Sequence, residues 1–305
     1  MRSQIWSRML LVIPMLLIVS FITFLLVQFS PMDPAEVVLQ AQGVPEITEE
    51  LLAETRQELG MERPLLYRYA DWLAASARLE FGDSYVTGKP IWSLLWPALL
   101  NTWKLTLISS VIVVIVSVLL GLICALHEGK LIDRSIRGMA FFLTSMPTFW
   151  LAAWMIWGLS VQLNLLPTSG MTSVSSYILP VASIVIAYAG LYFRNIRTSV
   201  LAQINEDYVL YQRACGLPEW RIRMHVLRNA MQVAISIFAM AIPTIMGSTV
   251  VIENVFAWPG LGSLSVKAIL TRDFPLIQAY VLLMAVFFIC FNLIADLIHA
   301  VVNPK

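Results

Sequence analysis

Long uncharged apolar runs dominate the pattern of this chain. Met9–Phe29 contains no charged residue, and Leu105–Leu126 is a second such run behind Lys104. The Lys104 side chain is long enough to snorkel from the end of that run. A bilayer core of ~30 Å needs about 20 mostly apolar residues per helix, so each run predicts a membrane span. No charge appears between Arg137 and Arg194, which leaves chain for two more. The Pro, Gly and Ser residues of Asn164–Tyr177 divide that stretch. A third span is expected at Gly138–Leu163 and a fourth at Ile178–Phe193, with Asn229–Ile252 and Ala279–Val302 as the fifth and sixth. Pro147, Pro180 and Pro243 are tolerable in such helices where neighbours re-satisfy the freed carbonyls.

Arg2 and Arg8 give the first run the flanks of a signal peptide. The run is too long for an h-region, however, and no small-x-small cleavage site follows at Ser30–Pro34. It reads as a retained first helix. Six spans put both ends on one side, and basic residues mark that side as cytoplasmic. The segments joined to the termini hold Arg2, Arg8, Lys130, Arg134, Arg137, Arg194, Arg197, Arg213, Arg221, Arg223, Arg228 and Lys305. The opposite segments hold only Arg56, Arg63, Arg68, Arg78, Lys89, Lys267 and Arg272, and they carry most of the acids.

The expected organisation is therefore a cytoplasmic N-terminus and first span (1–29), an extracytoplasmic cap (30–97) and a five-span core (98–305) with a cytoplasmic loop at 194–230. In the cap, Thr48–Glu58 has amphipathic spacing, with Thr48 as N-cap and Glu49 and Glu50 in the first turn. Pro64–Leu79 reads as a second short helix.

Composition agrees with the pattern and narrows the class. Of 305 residues, 59% are hydrophobic and 13% charged, and mean hydropathy is +0.78. Soluble chains carry roughly 45–50% and about 25%. A soluble enzyme and a disordered chain are excluded, and the fold class is all-α, a polytopic membrane protein. A net charge of +1 carries no nucleic-acid signature, and Cys124, Cys215 and Cys290 match neither a disulfide framework nor a zinc motif.

Candidate chemistry is sparse. There is no G-x-x-x-x-G-K-[ST] phosphate loop, no G-x-S-x-G, and no pairing of His127, His225 and His299 at ligand spacing. Asn292, Asp296 and His299 form one polar stripe in the sixth span. Asp296 reads as a structural cap near the cytoplasmic end, with a proton relay as the alternative. The chain is not expected to be an enzyme by itself.

The informative segment is the cytoplasmic loop. Asn205 is an N-cap candidate, Glu206 and Asp207 suit a first turn, and Gly216-Leu-Pro218 ends the helix. Tyr208, Tyr211 and Cys215 form one row of this helix, Glu206–Cys215. Leu210, Ala214 and Leu217 form a second. A short helix with large apolar groups in a water-facing loop suits docking into a partner's groove, although it would also suit the lipid surface.

The string Tyr208-Val-x-x-x-Arg-Ala-x-Gly216, followed by His225-x-Leu-Arg-Asn-Ala230, resembles the EAA-type coupling loop of binding-protein-dependent ABC import permeases. The dipeptide/oligopeptide/nickel branch is the nearest match. Phe81-Gly-x-Ser84, Ser145-Met-Pro-x-Phe-Trp-Leu151, Ile178-Leu-Pro180, Glu253-Asn-Val-Phe-Ala-Trp-Pro-Gly-Leu-Gly262, Arg272-Asp-Phe-Pro-x-Ile-Gln278 and Asn303-Pro304 extend the resemblance along the chain. Gln212 and Val233 depart from it. Within the branch, Asn205–Tyr211 and Ala187–Asn195 look most like permeases for nickel or opine-type metal chelates, with dipeptide or oligopeptide permeases as the alternative. An ion-coupled secondary transporter using Asp296 is the rival from another class.

The resemblance implies a type I importer fold with six spans in the bacterial inner membrane. It also implies a homologous second permease as heterodimer partner, two cytoplasmic ATPases and an extracytoplasmic binding protein. ATP and Mg²⁺ would be held by the ATPases, with no cofactor or metal site in this chain. Coupling to the ATPases is expected from Tyr208, Tyr211, Arg213, Ala214, Gly216, His225, Arg228 and Asn229. Contact at the outer mouth is expected from Glu253, Phe256, Trp258, Pro259 and Gly260.

Overall fold

The computed structural model describes residues 2–30 and 32–302, with side chains from Leu11 onward except those of Pro31, Val233, Ser236, Ile237, Met240 and the turn beginning at His299. The expectations placed on Asn303-Pro304, on Lys305 and on the side chains of Arg2, Arg8, Val233 and His299 lie outside the described residues. In chain order the helices are α1 (Arg2–Gln28), α2 (Pro34–Ala41), α3 (Glu49–Glu58), α4 (Leu65–Ser76), α5 (Ile91–Leu126) and α6 (Leu131–Thr144). They continue with α7 (Thr148–Met155), α8 (Ile178–Ile204), α9 (Asp207–Ala214), α10 (Glu219–Val255), α11 (Leu261–Thr271) and α12 (Phe274–Val302). A π-helical turn, Ile156–Gln162, extends α7. The fold is all-α: among the described residues, pairing of extended chain is limited to an isolated bridge between Asp83 and Pro90.

Among the described residues, four helical stretches are long and apolar enough to cross a membrane: Leu11–Gln28, Ile91–Leu126, Val174–Ile204 and Phe274–Ile298. The expected third span is not one straight helix. Leu131–Thr144 and Thr148–Gln162 meet at 100°, and together they would make a fifth crossing. The break falls at Pro147, which has no N–H to donate and disfavours helical geometry at Met146. The expected fifth span lies within the continuous α10, through Pro243, and its stretch Ala241–Val255 is apolar but shorter.

Helix ends also moved. α5 starts at Ile91 and passes through Pro97, where the sequence placed the end of the cap. α8 runs on to Ile204 and α10 starts at Glu219, so most of the expected loop 194–230 is helical extension. Pro180 sits in the first turn of α8, where its missing N–H costs nothing.

The chain divides into two compact units, Thr102–Trp258 with Cys290–Lys305, and Arg2–Asn101 with Pro259–Ile289. The second unit gathers the expected cap, α1, α11 and the first turns of α12. Thr48 caps α3 as expected, accepting from the Leu51 N–H at 3.3 Å. Asp33 caps α2 through the Ala35 N–H at 2.9 Å and pairs with Arg56 Nε at 2.6 Å. The α4 ring of Tyr69 meets Phe21 of α1 edge-on at 5.1 Å, and its hydroxyl lies 2.8 Å from Ser20 Oγ.

Buried Asp273 accepts from the Ser84 hydroxyl and from the Tyr85 N–H at 3.1 Å, joining the Phe81-Gly-x-Ser84 turn to the start of α12. Burial raises the Tyr85 hydroxyl pKa above its usual value, Arg68 opposes that shift, and Asp273 adds to it.

In the first unit, α8 is the central helix. A Cβ built on Gly121 of α5 would lie 2.7 Å from Ile196 Cβ, and one on Gly190 of α8 would lie 2.4 Å from Thr144 Cγ2. Glycine is required at both close approaches. Trp103 and Phe291 bring α5 and the end of α12 together at 5.0 Å.

Candidate functional site

The short helix α9 lies two residues beyond α8. It starts one residue later than the sequence suggested, because Asn205 is the C-cap of α8, its side-chain amide donating to the Leu201 carbonyl at 3.1 Å. Glu206 holds the N-cap position without a side-chain capping bond. The other end matches the expectation. Gly216 has φ +74° with open space around it. The Leu217 N–H bonds to the Gln212 carbonyl at 3.1 Å and the Gly216 N–H to the Arg213 carbonyl at 3.0 Å. These are the paired bonds of a Schellman cap, which needs the left-handed conformation that glycine takes up most readily.

One face seats the helix. Val209, 2% exposed, packs in a cluster with Ile196 and Val200 of α8, Ile222, Val226, Ala230 and Ala234 of α10, and Ala125 of α5. Tyr208 faces the same side, half-buried, with its hydroxyl donating to Gln203 Oε1 at 3.1 Å. The opposite face is open. Tyr211 is 70% and Leu210 69% exposed, beside exposed Ala214 and Cys215.

The expected Tyr208–Tyr211–Cys215 row is thus split, Tyr208 serving as a seat and Tyr211 as display. Arg213 pairs with Glu219 of this chain at 3.0 Å, both side chains about half exposed, so its partner is internal. His225 and Arg228 are exposed and Asn229 is partly buried. Sequence reading missed Trp220 and Met224, 63% and 57% exposed in the first turns of α10. Large apolar residues interspersed with Arg221, Arg223 and Arg228 are the signal that could have found them.

The residues expected at the outer mouth form a folded turn. Glu253 is fully buried and accepts from Thr102 Oγ1 at 2.5 Å, and its carbonyl accepts from the Trp258 N–H at 2.7 Å. Ala257 turns the chain with φ +46°. Phe256 and Trp258, expected to make contact at the outer mouth, are core residues of this chain, 2% and 0% exposed. Tyr177 meets Trp258 edge-on at 4.6 Å, and the Gly170 N–H bonds to the Phe256 carbonyl at 2.8 Å. In the other unit, exposed Pro259 accepts from Asn101 Nδ2 at 2.9 Å, and Gly260 precedes α11, a helix the sequence did not predict. Asn292 and Asp296 fall on α12. Among the described residues, no three His, Cys, Asp or Glu side chains are grouped to hold a metal ion.

The family described as "Binding-protein-dependent transport system inner membrane component" matches residues 117–305, and its N-terminal companion matches residues 1–106. The metal-staphylopine import system permease protein CntB of Staphylococcus aureus is 55% identical over 305 residues, covering 100% of this chain and 98% of that protein. The glutathione transport system permease protein GsiC of Escherichia coli is 35% identical, with the same coverage. Among solved structures, an inward-facing MetNI methionine ABC transporter matches with a TM-score of 0.60 at 17% identity, covering 70% of this chain and 99% of that one. At that identity the likeness is one of fold, the type I importer fold expected from sequence.

Proposed function

The chain belongs to the family of binding-protein-dependent transport system inner membrane components and is an ABC importer permease subunit; from that premise we propose that it forms half of a pathway for metal–chelate uptake. A homologous second permease supplies the other half, two cytoplasmic ATPases supply the energy, and an extracytoplasmic binding protein delivers the substrate. Both termini face the cytoplasm, a reading supported by the excess of basic residues in the segments joined to them. The substrate is nickel or a similar metal carried as an opine-type chelate. Support for that class comes from the whole-length likeness to a permease named for metal-staphylopine import. The metal passes inside its chelator, without ligands from this chain.

The observation that carries the ATPase partnership is α9. Its Val209 face is buried while Leu210 and Tyr211 stand in the open, beside exposed Trp220 and Met224. Buried area at such helix-in-groove contacts comes from aromatic and aliphatic anchors like these. When the ATPases close, α9 moves with them and the attached spans rock, opening the pathway to the other side. The cap at 30–97 helps to seat the binding protein.

The test is uptake of radioactive nickel by cells, supplied free or with staphylopine, with glutathione as competitor. The reading predicts chelate-dependent uptake that vanishes when an ATPase partner is deleted. Uptake that survives the deletion would point to ion-coupled transport, and competition by glutathione would favour a peptide substrate, the second reading supported by the GsiC likeness.

A further inference from the structure

Within the first unit, a bonded group of charges lies where α5, α6 and α8 meet. Asp133, in the first turn of α6, is 0% exposed. Arg197 of α8 meets it with two parallel bonds, Nε to Oδ1 and Nη2 to Oδ2, both at 2.9 Å. Arg137 Nε approaches Oδ1 at 3.2 Å, and the Gly129 N–H donates to Oδ2 at 3.1 Å from the turn that ends α5. Glu128 lies 3.9 Å from Arg197, so two arginines face two carboxylates. The fork of a guanidinium on a carboxylate fixes orientation as well as distance, which a lysine cannot do.

Arg197 lies on the same helical stretch of α8 as the attachments of α9. Val209 shares a buried cluster with Ile196 and Val200, on either side of Arg197 in sequence, and Tyr208 bonds to Gln203 two turns further on. Ser199 Oγ donates to the Ala230 carbonyl of α10 at 3.2 Å. The Gly121 approach to Ile196 and the Gly190 approach to Thr144 hold α5 and α6 close against α8. A push on α9 therefore enters α8 beside Arg197, and the Arg197–Asp133 fork is the polar tie that carries it to α6 and to the end of α5.

We propose that Arg197 and Asp133 are positioning residues of the transport cycle, locking α5, α6 and α8 into one body that moves with α9. The proposal rests on the reading of α9 as the ATPase-coupling helix and adds where its motion goes. A single deletion would strand a buried charge, so Asp133→Asn and Arg197→Lys, which keep size or charge, are the variants of choice.

The complete importer, with its ATPases and binding protein, is reconstituted in proteoliposomes. ATP hydrolysed per radioactive nickel imported with staphylopine is measured, alongside ATPase retention. We expect both variants to retain the ATPases and to raise that ratio at least threefold. In a background lacking the native cysteines, Asp133→Cys/Arg197→Cys should be equally uncoupled, and a short thiol-to-thiol linker across the two cysteines should restore coupling. An unchanged ratio, loss of the ATPases from Arg197→Lys, or abolition of transport by the linker would each overturn the proposal. The docking reading is tested separately by ATPase retention in Gly216→Asp, so either can fail without the other.

Discussion

Two aromatic turns of this molecule look alike in sequence and fold in opposite ways. Tyr208–Gly216 and Phe256–Gly260 each place large rings a few residues before a glycine, and each adjoins a long helix. In the first, Val209 is buried and Tyr211 stands 70% exposed. In the second, Phe256 and Trp258 are both buried, and the backbone is tied to Gly170 as well. The difference lies in what surrounds each turn. Trp258 has Tyr177 edge-on against it, whereas a Cβ on Gly216 would meet nothing. A buried turn of this kind stabilises the fold, while an exposed apolar face on a firmly seated helix is available to a partner.

Substitutions separate the two roles. Trp258→Ala should have the largest effect, because emptying a fully packed site of that size costs about 3–5 kcal/mol. It should appear as a loss of mature protein and a lower unfolding temperature in detergent. Tyr211→Ala should leave unfolding unchanged yet weaken ATPase retention by on the order of 2 kcal/mol, as expected of an aromatic anchor at an interface. Gly216→Asp forces a side chain into the left-handed region, at roughly 1–2 kcal/mol, and should loosen the end of α9 without preventing membrane insertion. Arg213→Ala should do least in both assays, since an exposed pair contributes under ~1 kcal/mol. If Tyr211→Ala lowered the unfolding temperature as much as Trp258→Ala, the contrast between the two turns would be lost.

The features legible in the sequence are those set by neighbours along the chain. The Thr48 cap, the apolar length of α1 and the left-handed Gly216 depend on a few adjacent residues, and each is where the spacing put it. Pro147 was read as tolerable within one span, and the 100° bend there was missed, because it depends on what the two halves pack against. Charges at 194–228 looked like a loop because polarity marks where a span leaves the membrane. It does not mark where the helix stops, and α8 and α10 continue well into the charged segment. α11 was hidden for the opposite reason: its eleven residues are too few to register as a span.

The candidate site was half legible. Gly216 and the short helix before it could be read, but the different burial of Tyr208 and Tyr211 could not. It depends on α8 and α10 cradling one face of α9. The burial of Phe256 and Trp258 likewise depends on Gly170 and Tyr177, far away in sequence. The Asp133–Arg197 fork joins residues 64 positions apart, and nothing local to either announces it.

The central claim is that α9, displayed on its Leu210–Tyr211 face and capped by Gly216, carries the ATPase stroke into the spans. Purification of the importer carrying Gly216→Asp tests it most directly, with ATPase retention and substrate-stimulated hydrolysis read on the same sample. The account predicts a permease that inserts normally, holds less ATPase and loses stimulation by loaded binding protein. A variant complex that kept its ATPases, its stimulated hydrolysis and normal uptake would contradict it.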